Sequence, residues 1–371
     1  MRYLRGTWMR GGTSKCWLFD AEEMAGADPD DMLAAAFGAA DPRQLDGVGG
    51  ATSTTSKAAI VQRSTRPDAD VEYLFAQVGI GTRRVEWSSN CGNCATAIGL
   101  YALLTRKVPA GPDRTTVRMR NINTGALLAA TVLTPGGVVP EQGSTTVPGT
   151  AVGGVPVELA FLAPEGTTTG ALLPTGRPVD ALPQPVTLVD AGAPAALVDA
   201  AALGLTAGES VDALAPHIAE LVRLRRESAL AMGLARPGDP VDHAVPKTGV
   251  VGPPIDYRAA DGAVIRAADY DLAVRMLSMH APHPAIGLTS AVAVAAAAGV
   301  EGSLVRRALR GRMPEVLRLG TPVGIVTARV ERRPDGLRAV WMPRAARRLA
   351  VAEISVPLVG ADEAAVFEAV S

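Results

Sequence analysis

Met9-Arg10-Gly11-Gly12-Thr13-Ser14-Lys15-Cys16-Trp17-Leu18-Phe19-Asp20-Ala21 runs as a glycine-containing turn, a short apolar strand and an aspartate placed to cap a following helix. The same order returns in Leu188-Val189-Asp190-Ala191-Gly192-Ala193-Pro194-Ala195-Ala196-Leu197-Val198-Asp199-Ala200. A second pair of features follows. Cys91-Gly92-Asn93 opens an apolar helical run, Ala95 to Leu104, and Leu288-Thr289-Ser290 opens another, Ala291 to Ala298. Two features recurring in one order read as the diverged duplication of a single unit.

The join falls near Thr175 to Pro185, where Pro174, Pro178, Pro183 and Pro185 cluster. We therefore expect an N-terminal half, residues 1–183, carrying Lys57 and Cys91. A C-terminal half, residues 184–371, closes the cleft, and its last strand is free to return to the first half. Alternating runs predict strands at Val71 to Ile80, Val117 to Ile122, Ala126 to Leu133, Gly324 to Val330 and Leu337 to Trp341. A short strand is also expected from Arg83 to Trp87. Helices are expected at Ala21 to Ala36, Val211 to Met232 and Tyr270 to Leu277. Strands outnumber helices and most connections resemble hairpins, which favours an α+β fold. The cleft between halves is the natural place for a ligand. Two helix N-termini facing it would offer free N–H groups to an anion.

Composition narrows the function. Hydrophobic residues make up 48% of 371, enough for two cores. Lys and Arg total 36 against 37 Asp and Glu, so no polyanion-binding surface is indicated. The basic runs Arg223 to Arg226 and Arg344 to Arg348 read as solvated helix faces or edges. No run of 18 apolar residues occurs, and the N-terminus lacks the apolar core of a signal peptide, so a cytoplasmic protein is expected. Three cysteines, an odd number, give no disulfide framework. The four histidines, His217, His243, His280 and His283, show no metal-ligand spacing. No metal or organic cofactor is expected, and neither nucleic acid nor membrane is expected as a partner.

Four segments could carry chemistry. In Trp87-Ser88-Ser89-Asn90-Cys91-Gly92-Asn93-Cys94, polar residues and a glycine separate a strand from an apolar helix. A thiol at a helix N-terminus is expected to have a lowered pKa and to serve as an acid or base. Cys94 and Cys16 read as packing residues. A Cys91–Cys94 redox pair is the rival reading of the CxxC spacing. In Gly47-Val48-Gly49-Gly50-Ala51-Thr52-Ser53-Thr54-Thr55-Ser56-Lys57 the phosphate-loop order fails, because no glycine precedes Lys57 and Ala58 follows it. What remains is a hydroxyl-rich loop ending in a lysine that enters an apolar strand, where desolvation would lower its pKa. Ser53 and Thr54 are binding candidates. Arg10, Gly12, Thr13, Ser14 and Lys15 surround a glycine pair that lets backbone approach a ligand, with basic groups to hold a carboxylate. In Met279-His280-Ala281-Pro282-His283-Pro284, His283 sits in a rigid loop ahead of Thr289 and Ser290, the second helix start.

These segments resemble the PrpF family of double-bond isomerases and tautomerases acting on methylaconitate-, methylitaconate- and oxalomesaconate-type acids. The resemblance rests on Met9 to Lys15, Gly49 to Lys57 and Asn90 to Asn93, and extends through Asn121 to Gly125, Thr169 to Gly176, Val189 to Gly192, Pro246-Lys247 and Arg347 to Leu349. It implies the diaminopimelate-epimerase-like fold, in which two pseudo-symmetric α+β halves each curl a sheet around a central helix. It also implies that Lys57 and Cys91 transfer the proton. Asn90, Gly92, Asn93, Thr289 and Ser290, read from the two helix starts, are further substrate-binding candidates, as is His283, which could instead hold its loop in place. The implied reaction is a cofactor-independent 1,3-proton shift in a small di- or tricarboxylate. The chain departs from the family's pattern at Cys16, at Pro284 after His283, and at Gly320 to Gly324. Rival readings are an amino-acid racemase, epimerase or dehydratase on the same fold, and a non-catalytic partner of an aconitase-type enzyme. A homodimer, and a functional pairing with such an enzyme, stay open.

Overall fold

The computed structural model describes residues 2–87, 90–239, 245–334 and 336–357. Ser88, Ser89 and His243 lie outside them.

The strand Arg2–Gly11 folds back on Ser14–Asp20 as a hairpin, with Gly11 opposite Ser14. Ser14–Asp20 runs parallel to Lys57–Arg63, which pairs antiparallel with Val71–Val78. That strand runs parallel to Arg114–Asn121, and two antiparallel pairings lead on through Leu127–Leu133 to Val155–Leu162. The circuit closes through a distant element. The 21-residue strand Gly336–Val356 pairs with Val155–Leu162 along one stretch and with Arg2–Gly11 along the next.

The second half repeats the scheme. Pro185–Ala191 and Ala193–Asp199 form a hairpin, and the latter runs parallel to Lys247–Gly252. Antiparallel, parallel and antiparallel pairings then carry the sheet through Leu272–Ser278 and Val316–Thr321 to Gly324–Arg333, which pairs with the start of Gly336–Val356. Asp20 caps the short helix Ala21–Met24, and Asp199 caps Ala200–Leu203. The duplication expected from sequence is therefore present strand for strand, in an α+β fold with two pseudo-symmetric halves.

Each half wraps a central helix, Gly92–Leu104 in the first and Leu288–Ala298 in the second. Residues 92–103 and 288–298 are all buried. Neither helix has a polar face, because the curled sheet surrounds it on every side. Small residues set how closely sheet and helix meet. A Cβ at Gly11 would lie 1.8 Å from the Asn93 carbonyl oxygen, and one at Gly99 would lie 2.2 Å from the Ala130 Cβ.

Several expectations change. Ala21 to Ala36, expected as one helix, divides into the short helix Ala21–Met24 and the helix Pro29–Phe37, and Val211 to Met232 divides into Val211–Leu214, Ala215–His217 and Ile218–Ala231. Tyr270 to Leu277, predicted helical, is instead strand from Leu272 onward, in the strand Leu272–Ser278. Its Leu, Ala and Met suit a helix, but six of its seven residues are buried between two neighbouring strands, and that burial decides. Arg83 to Trp87 shrinks to the two-residue strand Val85–Glu86. The arginine runs are not wholly solvated either: Arg225 is 1% exposed and Arg344, on a strand, is 4% exposed. No helix among the described residues is long and apolar enough to cross a membrane.

Candidate active site

One cavity lies where the two central helices begin. It is lined from the first half by Lys57, Phe75, Gln77, Glu86, Asn90, Cys91, Gly92 and Asn93. The second half supplies Lys247, Leu277, Ser278, Met279, His283, Gly287, Leu288, Thr289 and Ser290.

Neither helix start is closed by its own chain. Cys91 is the residue before the first helix and Gly287 the residue before the second, and neither position provides a side-chain cap. By contrast, Asp28, Ser210 and Ser303 cap the helices that begin at Pro29, Val211 and Leu304. The uncapped starts turn their first-turn N–H groups and partial positive charge toward the cavity. Asn90 adds a donor. It is 7% exposed, and its Oδ1 accepts from the Tyr73 hydroxyl at 2.9 Å and from Asn121 Nδ2 at 3.2 Å. Its own Nδ2 is buried without a hydrogen-bond partner. An unpaired donor of this kind is costly unless an acceptor arrives, and a carboxylate is such an acceptor.

Lys57 is the first residue of its strand. Its ammonium donates to Gln77 Oε1 at 2.5 Å and stands 5.1 Å from the Phe75 ring centroid. Gln77 is fixed in turn by donating to the Ser56 carbonyl at 2.9 Å. The Cys91 thiol behaves differently from the sequence expectation. Its neighbour Cys94 and its burial push its pKa well above the ordinary cysteine range, with the Lys57 charge opposing. The helix terminus is outweighed, and the thiol keeps its proton at neutral pH. Burial and Cys16 likewise raise the Cys94 thiol. All three cysteines are free thiols.

His283 and Lys247 complete the titrating set. Burial, together with Lys57 and Lys247, lowers His283 to about 3, so the imidazole stays neutral. Its Nδ1 accepts from the Ala285 N–H at 2.9 Å, which fixes the loop. Burial lowers Lys247 to about 8, helped by Lys57 and Arg225 and opposed by Glu86 and Cys91. Lys247 is absent from the sequence-derived candidates. Its signal was its register, which no local motif displays.

Lys57, Asn90, Cys91, Gly92, Asn93, His283, Thr289 and Ser290 thus meet around one space. The Arg10 to Lys15 turn stays outside that lining. Arg10 donates to the carbonyls of Gly12, Val152 and Gly153, so its guanidinium is spent on backbone. Thr13 and Ser14 accept from Asn93 Nδ2 at 3.1 and 3.3 Å and so support a lining residue from behind. Lys15 stacks over the Trp8 ring at 4.5 Å. Gly12 takes φ +52° beside the Arg344 guanidinium. The close approach expected of the glycine pair is therefore made by helix backbone rather than by ligand. Ser53 reaches the rim through a 3.1 Å contact with Ser278, and Thr54 bonds within its own loop to Thr52.

Comparison with known proteins gives the family and the fold. Residues 1–357 match the model of the PrpF protein family. The chain is 36% identical to a 2-methyl-aconitate isomerase of Shewanella oneidensis, covering 95% of this chain and 96% of that one. It is 40% identical to a (4E)-oxalomesaconate Delta-isomerase of Novosphingobium sp., covering 80% of each. Among solved structures, methylitaconate-delta-isomerase superposes with a TM-score of 0.82 at 30% identity, over 98% of both chains. A probable proline racemase from Agrobacterium radiobacter, at 14% identity and a TM-score of 0.50 over 98% of this chain and 95% of that one, shares the fold.

Proposed function

The chain belongs to the PrpF family, and on that premise we propose that it is an isomerase moving a carbon–carbon double bond within a small unsaturated polycarboxylate, with Lys57 and Cys91 as its proton-transfer pair. The observation that carries this reading is the single cavity that holds the amine, the thiol and both uncapped helix starts.

The chemistry follows from the charges. Lys57 acts as the base and removes a proton from the carbon beside the alkene and a carboxylate. The electron pair spreads through the allyl system into that carboxylate as a dienolate. First-turn N–H groups at Gly92, Asn93, Thr289 and Ser290, with Asn90 Nδ2, face the developing charge in a site of low dielectric. Cys91 then gives its proton to the far end of the allyl system. The raised pKa of this thiol suits the acid role, because it holds a proton until a carbanion-like centre takes it. Proton exchange returns the amine and thiol to their starting forms.

A two-thiol racemase is disfavoured. Such a mechanism sets a thiol on each face of the substrate, whereas Gly287 stands in the second half where Cys91 stands in the first. Cys91 is the one thiol among the described residues that line the cavity.

The test is NMR of purified protein with methylaconitate- and oxalomesaconate-type acids in deuterated water. Turnover with deuterium entering the allylic position is expected. Lys57→Ala should lower kcat by roughly 100-fold or more, the usual scale for a general base. Near-full turnover by Lys57→Ala on every accepted acid would remove the assignment.

A further inference from the structure

We propose that Lys247 is the second half's counterpart of Lys57 and contacts the substrate, holding the carboxylate remote from the proton-transfer pair, so that the cavity selects acids with two or more carboxylates. This inference rests on the reading of the cavity as the isomerisation site.

The equivalence comes from register. Asp20 pairs with Val61 across a parallel ladder, and Asp199 pairs with Val251 across the corresponding one. Both aspartates cap the short helix that follows. Four residues before Val61 is Lys57, and four before Val251 is Lys247. Each lysine is the first residue of its strand, and both line the same cavity.

The equivalence breaks one strand further on, and the break gives the second lysine its task. Lys57 lies opposite Gln77, which accepts its hydrogen bond. In the second half Gly249 lies opposite Met276, so two residues on, Lys247 faces Ser278. Ser278 is too short to repeat the glutamine's role, and its hydroxyl meets Ser53 instead. Among the described residues the Lys247 ammonium makes no hydrogen bond or ion pair with the protein. Its surroundings are Lys57, Glu86, Arg225, Cys91 and the neutral His283. A half-buried amine that lines the cavity with no acceptor among the described residues, beside an uncapped helix start, is completed by an anionic oxygen. One carboxylate then lies against Asn90 and the first helix, where the dienolate forms. The other lies against Lys247, Thr289 and Ser290.

The experiment uses the full chain and titrates it with tricarballylate, a saturated tricarboxylate that cannot turn over, by calorimetry. Turnover is measured alongside on an unsaturated tricarboxylate, dicarboxylate and monocarboxylate. Lys247→Met is expected to weaken tricarballylate binding about tenfold or more, the scale of a lost charge-assisted bond. It should raise KM for the polycarboxylates far more than it lowers kcat, and narrow their advantage over the monocarboxylate. Lys247→Arg keeps the charge. It should restore most of the affinity and remove the loss of affinity that wild type shows as pH rises through about 8, the value to which burial brings this amine. Should Lys247→Met not fold, the arginine variant and its pH profile carry the test. Unchanged tricarballylate affinity in the methionine variant overturns the proposal, as does a loss confined to kcat, or a wild-type affinity flat from pH 7 to 9. Lysine-dependent binding without turnover of any acid would count against the isomerase reading and leave this inference standing.

Discussion

Arg344 and Asn93, 251 positions apart in the chain, meet at 3.2 Å, with the arginine Nη2 donating to the asparagine Oδ1. The returning strand therefore orients a residue at the mouth of the first central helix. Asn93 passes the constraint on by donating to Thr13 and Ser14. Burial, with Arg10 nearby, lowers the Arg344 pKa to about 10, still well above neutrality. Arg344→Met should leave the Asn93 oxygen buried without this donor and cost about 1–3 kcal/mol. Differential scanning calorimetry should show a thermal midpoint lower by a few degrees, and kcat should fall although no group at the reacting atoms has changed.

Asn90→Asp tests the donor aimed into the cavity. The new carboxylate would keep the Tyr73 contact but place a negative charge where Nδ2 now stands unpaired. Tricarballylate affinity should drop by roughly 100-fold, since a donor is lost and like charges meet in a low dielectric. Calorimetry reads this directly. Equal affinity in the two proteins would remove Asn90 from the anion site.

Acid stability should carry the mark of His283. Its folded-state pKa is depressed to about 3, below the 6.5 of the unfolded chain. Stability from this residue is therefore full above 6.5 and is lost as pH falls from 6.5 toward 3, because only the unfolded chain takes up the proton. His283→Asn retains an acceptor for the Ala285 N–H without the titration. Urea unfolding between pH 7 and 5 should show a shallower decline for the variant, by about 2 kcal/mol at pH 5.

Gly11→Ala should be severe. The added methyl would sit 1.8 Å from the Asn93 carbonyl oxygen, which is helix backbone and cannot swing aside. A loss of about 3 kcal/mol or more is expected, in the upper range for overpacking. Chemical denaturation measures it. Gly26→Ala serves as the control: it meets nothing within 4 Å and pays only for its φ of +74°.

The duplicated turn and the two helix starts were legible because they are local. Glycine turns, capping aspartates and apolar runs announce themselves within a dozen residues. What escaped depends on neighbours. Leu272–Ser278 has helical composition and becomes a strand through the partners on either side of it. Arg10 lies at the end of a strand, just before a glycine turn that reads as suited to an anion, yet its charge is consumed by carbonyls about 140 residues away. Lys247 was visible only as part of the PrpF resemblance. Its place in the site follows from a parallel register that only the folded sheet defines. The Cys91 thiol was placed correctly at a helix start, but the sign of its pKa shift is set by Cys94 one turn on and by burial.

The strand Gly336–Val356 sets an order of events during synthesis. Until it leaves the ribosome, the edges of Arg2–Gly11 and Val155–Leu162 that it covers have no partner. The N-terminal barrel, although its other strands are made first, stays unsealed through most of translation, with sheet edges open to wrong pairing. Truncation before residue 336 would therefore unsettle the half that is farthest away in sequence.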